Sequence, residues 1–136
     1  SGVAWLEAHG TGTALGDPTE AGSLAAALCG RASGRASPLA VGAAKASIGH
    51  SEAASGQAGL QRMAAALGRL AAGCNAQLRR LNPLVGELWR GAAAALSSQQ
   101  VQVQAGSGGA GALGGVSSFG YSGTIAHALL RRTSGG

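Results

Sequence analysis

The stretch Val3-Ala4-Trp5-Leu6-Glu7-Ala8-His9-Gly10-Thr11-Gly12-Thr13 runs from a short apolar segment straight into a histidine among small residues. Residues 3–8 predict a buried strand. Gly10 and Gly12 permit a turn in which the backbone can approach a ligand closely. The next residues, Asp17-Pro18-Thr19-Glu20, predict a helix start. Asp17 is suited to capping, Pro18 to the first helical position, and Glu20 lies three residues after the cap. Ala21, Leu24, Ala25 and Leu28 then share one face, and Gly30 is a suitable stop.

A second strand-to-helix turn follows. Residues 31–38 are rich in Arg, Ser and Gly and predict an exposed loop. Residues 39–43 predict a short strand that delivers Lys45-Ala46-Ser47-Ile48-Gly49-His50-Ser51-Glu52. A long helix is expected over 52–72, with Leu60, Met63, Ala64, Leu67 and Ala71 as its apolar stripe. Gly56, Gly59 and Gly68 weaken it intrinsically and suit close packing against a neighbour.

Beyond Gly73 the pattern is irregular. Asn82-Pro83 reads as a turn, Val101-Gln102-Val103-Gln104 as a half-exposed strand and 105–111 as a Gly/Ser/Ala loop. Residues 113–119 and 125–130 predict two strands joined by the tight turn Gly120-Tyr121-Ser122-Gly123-Thr124. Strand, helix, strand, helix and hairpin together give an α/β architecture.

Composition narrows the function classes. The 136 residues suffice for one domain. Apolar residues make up 46%, but much of that is alanine, glycines number 25 and aromatics only 3%. Such small side chains bury little area each, which argues against a deep core and for part of a larger domain. The net charge of +5 rests on nine scattered arginines and on Lys45, the only lysine. No basic run is interleaved with aromatics, so neither a stacking surface for single strands nor a basic recognition helix is present. The plain reading is a solvated basic face; the sharper one is a dock for an acidic carrier protein, since complementary charge assists encounter. Cys29 and Cys74 have no metal or redox spacing and read as free thiols in a reducing compartment. No signal peptide and no bilayer-long apolar stretch is visible, so a cytoplasmic location is expected.

The two histidine motifs, the Asp17-Pro18 continuation and Val116-Ser117-Ser118-Phe119-Gly120 together resemble a β-ketoacyl synthase. The resemblance runs from Val3 to about Leu130 and is strongest over 5–21, 41–60 and 114–130. Glu7-Ala8-His9-Gly10-Thr11-Gly12-Thr13 and Glu52-Ala53-Ala54 favour the modular, type I polyketide synthases over discrete fatty-acid enzymes. It implies a thiolase-like fold of α-β-α-β-α layers, of which residues 1–136 are the C-terminal half. It also implies decarboxylative condensation of an acyl thioester with a malonyl thioester, in polyketide or fatty-acid biosynthesis. The substrates arrive on the phosphopantetheine of an acyl carrier protein, with no metal and no directly bound cofactor. The N-terminal half of the domain, which carries the nucleophilic cysteine, and a second copy of the intact domain are the further implied partners. This chain alone is expected to be inactive.

By the same resemblance, His9, His50 and Lys45 are the catalytic residues. The two imidazoles stabilise the enolate oxygen, and the lysine supports the second histidine. The start of the long helix beside His50 would favour an anion and a neutral ring. Thr11 and Thr13 hold the phosphopantetheine amides, since hydroxyls both donate and accept, and Gly10 and Gly12 keep the wall thin. Phe119 gates the site, and Glu52 is expected as a partner of Lys45. Cys29 and Cys74 are poor nucleophiles: one ends an apolar helix face and the other follows a helix C-terminus. Taken singly, His9 or His50 is more often structural, and His127, in an apolar strand, is read so; the assignment rests on the motifs together. Residues 106–115 lack the lysine of a phosphate loop and read as a linker. Three stretches depart from the family pattern. Ala46-Ser47 stand where Ser-Asn is usual, Ile125 stands where an amide is usual, and Cys74-Asn75 replace a Pro-rich stretch, a change expected to loosen a loop and leave the site alone. Ala46 and Ile125 keep open an alternative, a non-catalytic ketosynthase-like module that binds a carrier or a partner chain.

Overall fold

Strand β1 (Val3–Glu7) lies at the centre of a five-stranded sheet. The computed structural model describes residues 2–29, 35, 37–103 and 111–133. The remaining elements are α1 (Gly16–Leu28), β2 (Leu39–Gly42), α2 (Lys45–Ile48), α3 (Ser55–Arg69), β3 (Ala71–Ala72), α4 (Pro83–Leu88), β4 (Ala94–Leu96), β5 (Val101–Gln102), β6 (Leu113–Phe119) and β7 (Ile125–Arg131). The sheet order is β4-β2-β1-β6-β7, with β3 and β5 forming a separate two-stranded pair. β4, β2, β1 and β6 are parallel and β7 is antiparallel to β6. Parallel strands need helical crossovers that cover the sheet faces.

One apolar cluster lies on each side. Trp5 and Val116 meet Met63, Ala66 and Leu67 of α3. Val3, Leu6, Leu39 and Val41 meet Leu24, Leu28 and Cys29 of the α1 region and Trp89 after α4. Trp5, Leu6, Leu39 and Met63 have no accessible surface, so a core does form from this small-residue composition. Met63 fits because Gly114 has no side chain: a Cβ there would come within 2.1 Å of its Sδ.

Several sequence expectations change. The long helix over 52–72 is three elements. Glu52–Ala54 is a 3₁₀ turn, α3 follows, and Leu70 ends α3 in the left-handed region at φ 52°, turning the chain into β3. Asp17 does not cap α1. The helix starts at Gly16 after Leu15, and both Asp17 and Glu20 turn back to the His9 loop instead. Asn82-Pro83 is more than a turn: the Asn82 side chain accepts the Leu84 N–H and caps α4. Neither α4 nor β4 was expected. β5 is shorter than the strand read over 101–104, whose last residue lies outside the described residues, as do Gly30 and most of the loops at 31–38 and 105–111. β7 forms as expected, yet nearly all of it is exposed, with Ile125 at 75% and Leu129 at 59%. Among the described residues no helix is long and apolar enough to cross a membrane.

Candidate active site

The C-terminal ends of β1, β2 and β6 converge on His9. It follows β1 directly, it is buried, and its position is held through both its backbone and its ring. Its N–H donates to Glu20 Oε1 at 2.7 Å and the Gly10 N–H donates to Oε2 at 2.9 Å. One carboxylate from the first turns of α1 thus accepts two successive N–H groups, while Asp17 accepts the Gly12 N–H at 3.0 Å. Gly10 makes this turn possible. Its φ is +48°, and a Cβ there would lie 2.7 Å from Ala43 Cβ.

The His9 ring has a defined tautomer. Nδ1 is 3.3 Å from the Phe119 backbone N–H and 3.3 Å from Lys45 Nζ. Both are donors, so Nδ1 accepts and Nε2 carries the proton. Burial lowers the His9 pKa first, and the charges of Lys45 and His50 lower it further, against a smaller opposing pull from Asp17. The ring is therefore held as a neutral Nε2–H donor.

His50 presents the same tautomer by another route. Gly49, at φ +76°, ends α2 and turns the chain. Glu52 sits at φ +47° and directs its own N–H at His50 Nδ1, 2.9 Å away. Nδ1 again accepts, and Nε2 is left to donate. The two imidazole centroids are 5.7 Å apart with planes at 88°. The Phe119 ring lies 5.1 Å from the His9 ring, tilted 46°. Thr11 Oγ1 and Thr13 Oγ1 are 3.1 Å apart on the open side, and Thr13 Oγ1 accepts the Gly16 N–H. Each hydroxyl can both donate and accept, so the pair offers both kinds of partner on the open side. A cleft of about 620 Å³ borders Gly10, Thr11, Lys45 and His50 from the α1 side. His9 and Phe119 do not line it, so it adjoins the space between the rings without coinciding with it.

Two expected roles are corrected. Lys45 does not support His50: its ammonium donates to the His9 carbonyl at 2.6 Å and faces His9 Nδ1. Burial lowers the Lys45 pKa, and the carboxylates that raise it are Glu20 and Glu7. Glu52 is not that partner. Its residue is exposed, and what it offers the site is its backbone N–H. The helix dipole argued for His50 is also more distant than expected, since α3 begins only at Ser55. Burial pushes the Cys29 thiol up, with Arg35 opposing, and Cys74 is half-buried with its carbonyl bonded to Arg62. His127, on exposed β7, has Nδ1 3.1 Å from Ser117 Oγ.

Glu20 and Asn75 support the site in ways the sequence reading does not anticipate. Glu20 had a signal, a glutamate three residues after a capping aspartate, but it was read as serving its own helix. Asn75 is buried and accepts the Ala43 N–H at 3.1 Å while donating to the Val41 carbonyl at 2.9 Å. Cys74-Asn75, expected only to loosen a loop and leave the site alone, instead ties that loop to the end of β2.

Comparison with known proteins gives the family and the fold. Residues 1–75 match the family model described as "Beta-ketoacyl synthase, C-terminal domain". The chain is 43% identical over 126 residues to the highly reducing polyketide synthase azaB of Aspergillus niger, covering 93% of this chain and 5% of that protein. It is 41% identical over 127 residues to erythronolide synthase EryA2 of Saccharopolyspora erythraea, covering 92% and 3%. Among solved structures, the oxazolomycin ketosynthase domain OzmH KS7 of Streptomyces albus superposes with a TM-score of 0.86 at 28% identity, covering 98% of this chain and 23% of that one. Ketosynthase twelve of the Bacillus amyloliquefaciens bacillaene synthase gives 0.84 at 27%, with the same coverage. The chain thus spans only a few hundredths of these synthases and about a quarter of the solved ketosynthase chains. It belongs to the β-ketoacyl synthase family, with the thiolase-like fold of the polyketide-synthase ketosynthases, and matches their C-terminal domain.

Proposed function

We propose that this chain supplies the decarboxylation centre of a polyketide-synthase ketosynthase whose cysteine nucleophile lies outside these residues. A malonyl thioester on a carrier's phosphopantetheine loses carbon dioxide. The electron pair of the broken C–C bond becomes an enolate, with negative charge on the thioester oxygen. The Nε2–H groups of His9 and His50 hold that oxygen, as pre-aimed donors do in an oxyanion hole. The enolate carbon then attacks the acyl group on the cysteine, a C–C bond forms, and the cysteine leaves as thiolate. Lys45 disfavours a proton on His9 Nδ1, so the ring stays a neutral donor. Thr11 and Thr13 bind the arm's amides, and Phe119 borders the entry of the acyl chain beside His9.

The single observation that carries this reading is the matched pair of rings, 5.7 Å apart, each with Nδ1 occupied by a backbone N–H. The exposed apolar β7, with Ile125 and Leu129, supports a role beside the N-terminal half of such a domain. The net charge of +5 suits an acidic carrier protein. The polyketide-synthase relatives support a place in polyketide biosynthesis, and the intact domain is proposed to work as a homodimer. In the complete ketosynthase, His9→Ala and His50→Ala should each slow malonyl decarboxylation by ~10²–10³-fold, the usual cost of losing one such donor. Unchanged decarboxylation in both would contradict the reading and favour a non-catalytic module that only binds a carrier.

A further inference from the structure

A ring of hydrogen bonds encloses the elbow between β2 and α2. On one side, Glu7 Oε1 accepts the Ala44 N–H, and Glu7 Oε2 accepts from Arg62 Nη1 at 2.9 Å. Arg62 Nη2 donates to the Cys74 carbonyl, also at 2.9 Å. On the other side, Asn75, the next residue, accepts the Ala43 N–H at 3.1 Å and donates to the Val41 and Ser97 carbonyls at 2.9 and 3.3 Å. The circuit Glu7, Ala44, Ala43, Asn75, Cys74, Arg62 is closed. It joins β1, the elbow, the loop after β3 and α3.

Three glycines leave room for it. A Cβ at Gly59 would lie 3.2 Å from Glu7 Cγ, one at Gly42 3.4 Å from Arg62 Nη1, and one at Gly73 3.0 Å from Arg62 Nη2. The Arg62 guanidinium also sits over the Trp5 ring at 5.6 Å. None of the ring's side chains bonds to the histidines in the hydrogen-bond pattern around them. What the circuit fixes is the residue that follows it, Lys45, whose ammonium meets the His9 carbonyl and Nδ1. α2 has no side-chain cap, and the two N–H groups just before it, those of Ala43 and Ala44, are held by Asn75 and Glu7.

We propose that Glu7, Arg62 and Asn75 are positioning residues for Lys45. The closed circuit sets where the β2–α2 elbow lies, and hence the distance from the ammonium to His9. This rests on the function proposed above. A buried, charged circuit serves register more than raw stability when one partner's displacement moves a functional group. The charged and titratable groups facing His9 are Lys45, His50, Asp17 and Glu20. Of these, Lys45 follows the elbow, and withdrawing its ammonium raises the affinity of His9 for a proton.

The test uses the complete ketosynthase carrying charge-neutral changes at Asn75, with [¹³C]histidine labelling and His9 assigned by its loss in His9→Ala. Asn75→Ala should raise the His9 titration midpoint and lower the decarboxylation kcat by about tenfold to a hundredfold, the scale of a misplaced group. KM for the malonyl carrier substrate should stay unchanged. Asn75→Thr, which restores an acceptor for the Ala43 N–H, should recover both. Should Asn75→Ala not fold, Arg62→Lys takes its place, since it keeps the charge and the Glu7 pair but drops the Cys74 link. The same two readouts should move in the same directions. A folded variant with the parent's His9 midpoint overturns the positioning role. The titration does not depend on turnover. If the parent's decarboxylation survives both His9→Ala and His50→Ala, the proposed function fails while the titration still decides the positioning claim.

Discussion

Glu20→Gln should loosen the catalytic turn without changing its shape. The Glu20 carboxylate accepts the His9 N–H at 2.7 Å and the Gly10 N–H at 2.9 Å, one with each oxygen. A glutamine offers one acceptor oxygen and one NH₂ group, and the NH₂ must then face a backbone donor. A hydrogen bond to a charged group contributes about 1.5–3 kcal/mol, and leaving a buried N–H unsatisfied costs about 1–3 kcal/mol. The amide retains one neutral bond, so the net loss is about 2–3 kcal/mol. Read as local opening, that is a roughly 30- to 150-fold faster hydrogen exchange at the His9 and Gly10 amides, at 1.4 kcal/mol per decade. Exchange measured residue by residue on the parent and on Glu20→Gln checks it, with the Trp5 and Leu6 amides of β1 as internal controls. Exchange at His9 and Gly10 within threefold of the parent would refute the account of how this turn is held.

Glu52→Gly removes a side chain but keeps the N–H that His50 accepts, and it removes the left-handed strain at φ +47°. Decarboxylation should stay within about threefold of the parent, whereas a role for the carboxylate would lower it by the ~10²-fold typical of a lost catalytic contact. Gly10→Ala meets both a positive φ and Ala43 Cβ at 2.7 Å; overpacking of this kind costs about 1–3 kcal/mol, which urea denaturation resolves. The pH dependence has a defined sign at His9, whose pKa lies below its ordinary 6.5 because of burial, Lys45 and His50. Just below pH 6.5 the unfolded ring binds more protons than the folded one, so His9 makes stability rise with pH there and fall as pH drops through that window. Replacing His9 by asparagine should flatten that part of the curve, and an unchanged slope in denaturation at several pH values would count against it.

What could be read from the residues alone was what is local. The apolar run at 3–8 became β1, the stripe through Met63 and Leu67 became α3, and the turn at 120–124 joined β6 to β7. Those signals depend on periodicity within a few residues. The His9 and His50 turns were visible for the same reason, since each histidine stands beside glycine at the end of a strand or short helix. The supports of the site were not visible, because each is a contact between residues far apart in the chain. Lys45 meets His9 across 36 positions, Phe119 across 110 and Arg62 meets Glu7 across 55. Glu7 had one readable sign, a carboxylate inside an otherwise apolar strand, which demands a buried partner. Glu52 misled because its side chain was weighed when its backbone N–H carries the contact. The 3₁₀ turn before α3 was hidden by an alanine-rich run that continues a helical pattern through it.

The central claim is that both imidazoles are presented as Nε2–H donors, each with Nδ1 accepting from a backbone N–H. ¹⁵N spectra of the histidine-labelled complete ketosynthase at about pH 8, well above the ordinary histidine range, measure it directly. The account predicts a protonated Nε2 and a bare Nδ1 for both His9 and His50. A proton on Nδ1 of either ring would contradict it.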